Sequence, residues 1–266
     1  MPPGVSFVIT VYNKAPYLPA LIDSLAAQRG AFAREFIFID DGSKDESLAV
    51  LAALTPKLGP DVRIEAFSNG GQAVATNRGL TRAQLEFVKP IDADDLIHPA
   101  FTQTLLEVLT ADPGAAMALT RLAKFRDDGL PDLSAPAPIE GSPSALADPT
   151  AQLLRNSIFN PTQLLIRNSA IRACGGCDER VRNSMEHALG LRLSRQGRFV
   201  LVPTTMAYQR VGMADSLSAN EGVTLAEVTA ACGHFLAEYP DTAPRLKALA
   251  ARRAAGRAWR WQARKH

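Results

Sequence analysis

Short β-branched and aromatic runs alternate with stretches of helical apolar spacing over roughly the first 110 residues, which limits the folds open to this chain. Neighbouring parallel strands require a crossover segment, usually a helix, between them. The pattern therefore predicts a doubly wound, mostly parallel α/β sheet. We expect buried strands at residues 5–11, 35–39, 62–67 and 87–91, and helices at 16–28, about 43–54 and 73–83.

The rest of the chain shows weaker periodicity. Residues 130–149 are rich in Pro, Ser and Ala and predict a long loop. Later strands are expected at 163–167 and 199–202, with a helix near 186–196 between them. Two Ala-rich helices are expected at 223–239 and 244–260.

Polar side chains follow each of the four early strands. In parallel sheets ligands bind beyond the carboxyl ends of the strands, so four polar clusters there indicate a site more strongly than any one cluster. The clusters are Tyr12-Asn13, Asp40-Asp41, Asn69-Gly70-Gly71 and Asp92-Ala93-Asp94-Asp95.

The acidic turn at residues 92–95 has two interpretations. Carboxylates two residues apart repel each other unless a cation neutralises them, and such oxygens suit Mg²⁺ or Mn²⁺. Alternatively, the aspartates cap a helix that begins near Pro99. The apolar strand before the turn and the second acidic turn at Asp40-Asp41 favour the metal interpretation.

Charge is placed unevenly along the chain. Of 29 basic and 27 acidic residues, eight basic and no acidic residues lie in 245–266, so the remainder carries 21 − 27 = −6. A mildly acidic body argues against a nucleic-acid partner. The basic end also carries Trp259 and Trp261, which suits either a helix packed on the body or contact with an anionic membrane surface.

Composition places the chain in a broad class. With 47% apolar and 21% charged residues, it is typical of a soluble globular protein, which excludes a disordered or fibrous chain. Apolar runs long enough to cross a bilayer and a signal peptide are absent, and three cysteines make no disulfide framework. We therefore expect a cytoplasmic protein, with possible attachment to the inner face of the membrane through its basic end.

Six segments in order carry a recognisable pattern. They read SFVITVYNKAPYLPALIDSLAAQ, FIFIDDGSKDES, NGGQAVATNRGL and FVKPIDADDLIHP, followed by GGCDERV and MEHALGLRLSRQG. Together they resemble the family 2 glycosyltransferases with the A-type, Rossmann-like fold, as far as about residue 210. The resemblance implies an inverting transfer of sugar from a nucleotide diphospho-sugar to a saccharide or lipid-linked acceptor, in the synthesis of cell-surface polysaccharide or glycolipid.

The resemblance also implies roles for individual residues on the donor side. Thr10 and Tyr12 match the segment that lies against the nucleotide base. Asp41 matches the acid that hydrogen-bonds the base, and Asp40 precedes it. Arg210 is a candidate for contact with the diphosphate, although a surface ion pair is an equally simple role for it.

The same resemblance assigns the acidic turn to metal and ribose. Asp92 matches a carboxylate near the ribose that also assists the metal, and Asp94 matches the metal ligand. Asp95 is expected behind them or as an alternative ligand. The implied cofactor is Mn²⁺ or Mg²⁺, which stabilises the developing charge of a diphosphate leaving group.

Two positions depart from the family pattern. The family usually supplies its base from a Glu-Asp pair at a helix start, and here the pair is Glu186-His187. Either His187, as a neutral imidazole, or Glu186 is then expected to take the acceptor proton, or the protein is catalytically weak. Thr76 stands where an arginine often meets the diphosphate; Arg78 is the candidate replacement, although on a helix we expect it to point elsewhere.

Four other interpretations of the sequence compete with a working glycosyltransferase. A degenerate member binds a nucleotide sugar without transfer, and a carbohydrate-binding scaffold needs no metal. A nucleotidyltransferase also pairs this fold with metal-binding carboxylates, but its usual Gly-rich basic loop is missing near the first strand. Finally, a Cys₃His zinc site can be written from Cys174, Cys177, Cys232 and His234, but the spacing favours simple packing.

These expectations divide the chain into two parts. Residues 1–215 form the glycosyltransferase-like domain, with a nucleotide-binding half at about 1–112 and an acceptor half at about 113–215. The loop at 130–149 borders the acceptor side. Residues 216–266 form a C-terminal helical extension with the basic tail.

Overall fold

The first four long strands lie side by side and run in the same direction, as the alternation predicts. The computed structural model describes residues 2–137, 140–182, 184–213 and 221–263. Its parallel strands are β1 (Gly4–Val11), β2 (Ala33–Asp40), β3 (Val62–Ala66) and β4 (Phe87–Asp92), in the spatial order β3-β2-β1-β4. The crossovers contain α1 (Leu18–Ala26), α2 (Ser47–Leu54) with a 3₁₀ turn at Thr55–Leu58, and α3 (Gln72–Arg82).

The second half continues the same sheet with mixed strand directions. The strands are β5 (Leu96–Ile97), β6 (Ala115–Phe125), β7 (Ser144–Ala145), β8 (Leu164–Arg167) and β9 (Arg198–Arg210). Strand β8 is antiparallel to both β4 and β6, β9 is parallel to β6, and β5 and β7 are antiparallel to β9. The helical elements are α4 (Phe101–Ala111), α5 (Pro149–Arg155), a 3₁₀ turn at Pro161–Gln163, α6 (Asn168–Cys174) and α7 (Met185–Leu193).

The predicted fold class is confirmed, but the short strands β5 and β7 and three longer second-half elements escape the sequence prediction. Strand β6 lies inside a stretch without a predicted strand, and the strand expected at 199–202 is only the beginning of β9. Helices α5 and α6 were also not predicted. Within the described part of 130–149, regular structure is limited to β7 and the first residue of α5. The prediction of a long loop is therefore largely confirmed for these residues.

Alternating side chains of the parallel strands build two apolar layers. Phe7 of β1 and Phe36 of β2 stack at a ring separation of 4.9 Å on the layer with α1 and α4. Val8 and Ile39 belong to the opposite layer, with α3. A Cβ on Gly79 of α3 would lie 2.4 Å from Val8 Cγ1, so the absence of a side chain lets α3 approach the sheet closely. This contact fixes the start of α3 beside the carboxyl ends of the strands.

Two long helices follow β9: α8 (Glu221–Glu238) and α9 (Pro244–Ala263). Helix α8 packs on α7, and α9 packs on α5 and α8. Ion pairs tie α8 to the body, since Arg192 of α7 contacts Glu238 and His234 contacts Asp178. The predicted domain boundary at 215/216 falls within residues 214–220, outside the described residues. Nowhere in the described chain is a helix both long and apolar enough to cross a membrane.

Candidate active site

The acidic turn at residues 92–95 closes directly after β4. The Asp95 amide donates to the Asp92 carbonyl at 3.1 Å. Helix α4 begins at Phe101 with Ala100 as its N-cap and has no side-chain cap. The aspartates therefore do not cap that helix, and the capping interpretation is wrong.

Asp92 and Asp94 lie near enough to repel each other. Burial first, and then the charge of Asp94, raise the pKa of Asp92 to about 6. Gln72, the first residue of α3, donates to Asp92 Oδ1 at 3.0 Å, and Lys14 Nζ contacts Asp94 Oδ2 at 2.5 Å. The turn thus joins the ends of β4, α3 and the loop after β1.

The Asp95 carboxylate connects the acidic turn to two neighbouring elements. Its Oδ2 accepts from the Thr162 hydroxyl at 2.6 Å and its Oδ1 accepts from the Arg210 amide at 2.9 Å. Burial and the charge of Asp92 raise its pKa well above the usual range. Both carboxylate oxygens thus tie the turn to the 3₁₀ turn and to β9, and the expectation that Asp95 lies behind the metal pair or serves as an alternative ligand stays a prediction.

The two aspartates after β2 shape neighbouring turns. Asp41 Oδ1 and Oδ2 accept from the Gly70 and Gly71 amides, each at 2.8 Å, so this carboxylate holds the loop before α3. Asp40 is buried, and its Oδ2 accepts from the amides of Gly42 and Ser43. Asp40 therefore builds its own turn through Oδ2, while its Oδ1 has no hydrogen-bond partner among the described residues. The nucleotide contacts of Asp40 and Asp41 both stay predictions.

Arg78 does not point away from the site. Its Nη1 lies 3.4 Å from Asp41 Oδ1, and its guanidinium stacks over Phe67 at 4.3 Å. Side chains on a helix lean toward its N-terminus, so a residue on the second turn of α3 reaches back to the sheet edge. Our expectation that Arg78 points elsewhere is wrong, and Arg78 stands beside the predicted base-binding acid.

Thr10 and Tyr12 line the same edge from β1. Thr10 pairs with Asp92 in the β1–β4 register and is half-buried. Tyr12, one residue past the strand, is 44% exposed, which is unusual for a large aromatic side chain at a sheet edge. Both therefore stay candidates for the nucleotide-facing wall.

Arg210 ends β9 directly behind the acidic turn. Its Nε donates to the Asp94 carbonyl at 3.0 Å, its Nη1 pairs with Asp127, and its guanidinium stacks between Tyr17 and Phe125. The expected ion pair is present, with Asp127, but Arg210 itself is buried rather than on the surface. Its present partners make it a brace for the turn, and contact with a diphosphate stays a prediction.

Glu186 and His187, adjacent on α7, face different surroundings. Glu186 faces the gap between α3, α7 and β4, with Thr76, Pro90 and Pro161 around it. Burial, and to a smaller degree the charges of Asp92 and Glu227, raise the pKa of Glu186 to about 8. The carboxyl group of Glu186 therefore lies within electrostatic range of Asp92 in the acidic turn.

His187 is turned to the other side of α7. It is 0% exposed, its Nε2 lies 3.7 Å from Cys232 Sγ on α8, and its Nδ1 has no hydrogen-bond partner among the described residues. Burial, and then the charge of Arg257, lower its pKa to about 4. The structure contradicts the prediction of His187 as the base, because an acceptor cannot reach an imidazole enclosed by α8 and α9.

Two lysines of the site escaped the sequence prediction. Lys14 contacts Asp94, as above. Lys89 of β4 is fully buried, and its Nζ donates to the carbonyls of Pro90 and Thr162 at 2.6 and 2.8 Å. Burial lowers the pKa of Lys89 to about 7 despite the opposing charges of Asp92 and Asp95. A lysine within an otherwise apolar strand was the available signal, since lysine is rarely buried without partners.

The proposed zinc set does not come together. Cys174, Cys177 and Cys232 are separately buried free thiols, and His234 Nδ1 is 2.8 Å from Asp178. Across the described residues, no group of three or more His, Cys, Asp or Glu side chains is arranged to hold a metal.

The remaining metal candidate is the carboxylate pair of Asp92 and Asp94. Burial, and then the charge of Asp94, raise the pKa of Asp92, and a bound cation would favour the charged form of this carboxylate. Hard oxygens suit Mg²⁺ or Mn²⁺, which commonly use one or two carboxylates and complete their coordination with phosphate and water. The pair therefore fits a divalent ion shared with a diphosphate, and not an ion held by protein ligands alone.

Sequence comparison supports the resemblance of the six segments to the family 2 glycosyltransferases. The family model described as glycosyl transferase family 2 matches residues 6–174. The succinoglycan biosynthesis protein ExoO of Rhizobium meliloti is 32% identical over 154 residues, covering 53% of this chain and 43% of that protein. Chondroitin synthase of Pasteurella multocida is 28% identical over 81% of this chain and 21% of its own length. The chain thus spans less than half the length of these curated relatives.

Structural comparison supports the fold. TarS of S. aureus (residues 1–349), solved with UDP-GlcNAc, superposes with a TM-score of 0.68 at 17% identity, over 86% of this chain and 66% of that one. The mannosyltransferase PcManGT of Pyrobaculum calidifontis, solved with GDP-Man and Mn²⁺, gives 0.64 at 18% identity over 97% and 76%. At these identities the likeness shows a shared fold.

Proposed function

This chain belongs to glycosyl transferase family 2, and from that premise we propose that it moves a sugar from a nucleotide diphospho-sugar to a hydroxyl acceptor with inversion. The acceptor oxygen attacks the anomeric carbon opposite the diphosphate. The bond from that carbon to the diphosphate oxygen breaks, and the acceptor proton passes to a carboxylate of the protein. Polysaccharide-synthesis relatives support an acceptor that is a saccharide or a lipid-linked saccharide.

The position of Glu186 carries this proposal. Its carboxyl lies within electrostatic range of the acidic turn, since the charge of Asp92 contributes, after burial, to its raised pKa. A base acts best when its pKa lies near the working pH, and a pKa of about 8 meets that condition. We therefore assign the acceptor proton to Glu186, in the place that the sequence left open between Glu186 and His187.

The donor is assigned to the opposite side of the acidic turn. Thr10, Tyr12, Asp41 and Arg78 form the wall for the nucleoside, and Asp94, assisted by Asp92, would hold Mn²⁺ or Mg²⁺. Such an ion, when bound, stabilises the negative charge that develops on the leaving diphosphate. A neighbour in the fold comparison was solved with GDP-Man and Mn²⁺, which supports this cofactor class.

A thermal-shift screen tests the donor half directly. Nucleotide diphospho-sugars are tested one by one with and without Mn²⁺, on wild type and Asp94→Asn. A ligand at 100 times its Kd stabilises the folded state by about 2.7 kcal/mol, which gives a visible shift. We expect at least one donor to shift wild type more strongly with Mn²⁺, and Asp94→Asn to lose that increment. An equal Mn²⁺-dependent shift in both proteins would show that Asp94 does not hold the metal.

A donor-binding protein with little transfer is the second candidate, and the burial of His187 favours it. The family usually offers an aspartate at this position, and here the side chain is enclosed. Release of free sugar from a labelled donor separates the two functions. Turnover by wild type that Glu186→Gln abolishes excludes the binding-only protein, and donor binding without turnover for any acceptor supports it.

We also propose that α9 brings the chain to an anionic membrane surface on the cytoplasmic side. Arg245, Arg252, Trp259 and Arg260 are exposed along this helix, and Trp259 is 69% exposed. Basic residues near such a surface are worth about 1 kcal/mol each, and an exposed Trp suits the headgroup layer.

Vesicle sedimentation tests this contact. Wild type is expected to bind vesicles that contain phosphatidylglycerol and to ignore pure phosphatidylcholine, with binding lost in high salt. Paired Arg252→Gln and Trp259→Ala substitutions are expected to weaken binding, while Lys57→Gln, an exposed basic residue far along the chain from α9, leaves it unchanged. Equal binding to both kinds of vesicle would contradict the charge-based contact.

A further inference from the structure

Lys14 forms an ion pair with Asp94, the carboxylate that the proposed function assigns to the metal. Its Nζ lies 2.5 Å from Asp94 Oδ2, and the two side chains are only 22% and 10% exposed. The two residues are 80 positions apart in sequence, so the fold brings them together. This is a partly buried ion pair, and its partners are screened less by solvent than those of a surface pair.

The loop that carries Lys14 is held in place by the turn before α2. The Lys14 amide donates to Ser47 Oγ at 2.9 Å, and the Asn13 amide donates to Ser43 Oγ at 2.9 Å. In return, Asn13 Oδ1 accepts from the Lys44 amide at 2.8 Å. Lys14 therefore reaches Asp94 from a fixed backbone, with its side chain free to change partners.

The other cations of the site are committed elsewhere. Arg210 contacts the Asp94 carbonyl and Asp127, and Lys89 is enclosed among the carbonyls of Pro90 and Thr162. Lys14 is the cation in direct contact with the Asp94 carboxylate. A divalent ion that binds Asp94 must therefore displace the Lys14 ammonium or share the carboxylate with it.

The cost of that displacement depends on the donor. Without a diphosphate, an incoming ion leaves Lys14 unpaired, part-buried and close to a second positive charge. With a diphosphate, a phosphate oxygen can accept the Lys14 ammonium while Asp94 turns to the ion, because lysine binds phosphate as a point charge. Each ligand then removes a penalty from the other, which is positive coupling between two sites and is reciprocal.

We propose that Lys14 is an internal counter-ion for Asp94 that makes divalent-metal binding depend on the diphosphate of the donor. This inference rests on the proposed function, because it assigns Asp94 to the metal. It adds a regulatory property to that site: the chain holds little metal at rest and loads it together with the nucleotide.

Titration of Mn²⁺ without any acceptor tests the coupling. The free-ion electron paramagnetic resonance signal gives the Mn²⁺ Kd for wild type, Lys14→Gln, Lys14→Arg and Lys57→Gln, each alone and with uridine or guanosine diphosphate. Lys57→Gln is the matched control, since it breaks an exposed Lys–Asp pair elsewhere. Melting curves confirm that each variant is folded.

For wild type, Lys14→Arg and the control, we expect the effective nucleotide to tighten Mn²⁺ binding at least about tenfold, within the usual range of coupling between sites. Lys14→Gln is expected to bind Mn²⁺ more tightly without nucleotide and to gain less than about threefold from it. By reciprocity, Mn²⁺ should tighten nucleotide binding to wild type by the same factor.

Two results would overturn the inference. They differ in whether the metal assignment of the proposed function is contradicted as well. If nucleotide-loaded wild type binds Mn²⁺ through Asp94 but Lys14→Gln keeps the full coupling, Lys14 is not the counter-ion and the proposed function stands. If Mn²⁺ binds no better to wild type than to Asp94→Asn, even with nucleotide, both the inference and the metal assignment fail.

Discussion

The two sides of helix α7 place adjacent titratable residues in opposite situations. On the side of the sheet, Glu186 shares a gap with the ends of α3 and β4, and nearby carboxylates contribute to its raised pKa. On the side of α8 and α9, His187 is sealed beside Cys232, and burial lowers its pKa. Burial disfavours the charged form of both groups, but only Glu186 lies within electrostatic range of the acidic turn. The comparison shows that a shifted pKa indicates a functional group only when geometry supplies access.

The largest expected effect comes from Glu186→Gln. The substitution keeps size and hydrogen-bonding capacity but removes the base, so kcat should fall by about 10²–10⁴. Donor binding in the thermal-shift assay should be unchanged. His187→Gln, the neighbouring substitution, should keep kcat within about threefold of wild type. A reversal of the two results would move the base to the other side of α7.

The pH dependence of transfer gives the next effect. Glu186 acts as a base when ionised, so kcat/KM should rise about tenfold per pH unit below its pKa of about 8 and level off above it. At pH 6 the rate should then be about 100-fold below the plateau. The profile of His187→Gln should coincide with that of wild type. A profile that is flat from pH 6 to 9 would exclude Glu186 as the titrating base.

Folding stability should carry the signature of His187 instead. Its pKa is about 4 when folded and about 6.5 when exposed, so the unfolded state binds more protons between those values. The neutral, buried imidazole is therefore fully tolerated above pH 6.5, and stability is lost as the pH falls toward 4. At pH 5 the loss attributable to this group is about 2 kcal/mol. Urea unfolding at pH 7 and pH 5 should show a smaller pH effect in His187→Gln than in wild type.

The smallest effect is expected for Cys232→Ala. The thiol lies against His187 Nε2 and is buried, so removing it should cost about 1 kcal/mol through lost packing. Transfer activity and its pH profile should not change, since this side of α7 is remote from the acidic turn. Denaturant unfolding and initial rates, measured on the same preparation, check both statements. A large loss of activity without a loss of stability would show that the two sides of α7 are functionally coupled, which would contradict this prediction.

Local sequence patterns were sufficient for the sheet edge that carries the acidic turn. The apolar run of β4, followed by Asp92 and Asp94, is enough by itself to predict a strand, the point at which it ends and the polar cluster there. Strand β6 was missed because its run AAMALTRLAKF is rich in Ala and Leu, which favour helices. Its pairing with β8 and β9 overrides that preference, and neither partner is a sequence neighbour.

The same reason explains the misassigned site residues. His187 is enclosed by a helix 45 residues away, Arg210 reaches back 116 residues to Asp94, and Lys14 meets Asp94 across 80 residues. No local spacing encodes such contacts. Motif positions therefore predict the sheet edge at which the site is expected, while the fold determines which polar side chains lie near that edge.

We propose that Asp94 and Asp92 hold a divalent ion against a diphosphate, on the side of α7 that carries Glu186. Anomalous diffraction from a crystal soaked with Mn²⁺ and the nucleoside diphosphate of the effective donor measures this directly. We predict one strong manganese peak in bonding contact with Asp94 and a phosphate oxygen, with the Glu186 carboxyl across the cleft. A peak bound elsewhere, or a diphosphate seated without metal while Lys14 stays on Asp94, would contradict it.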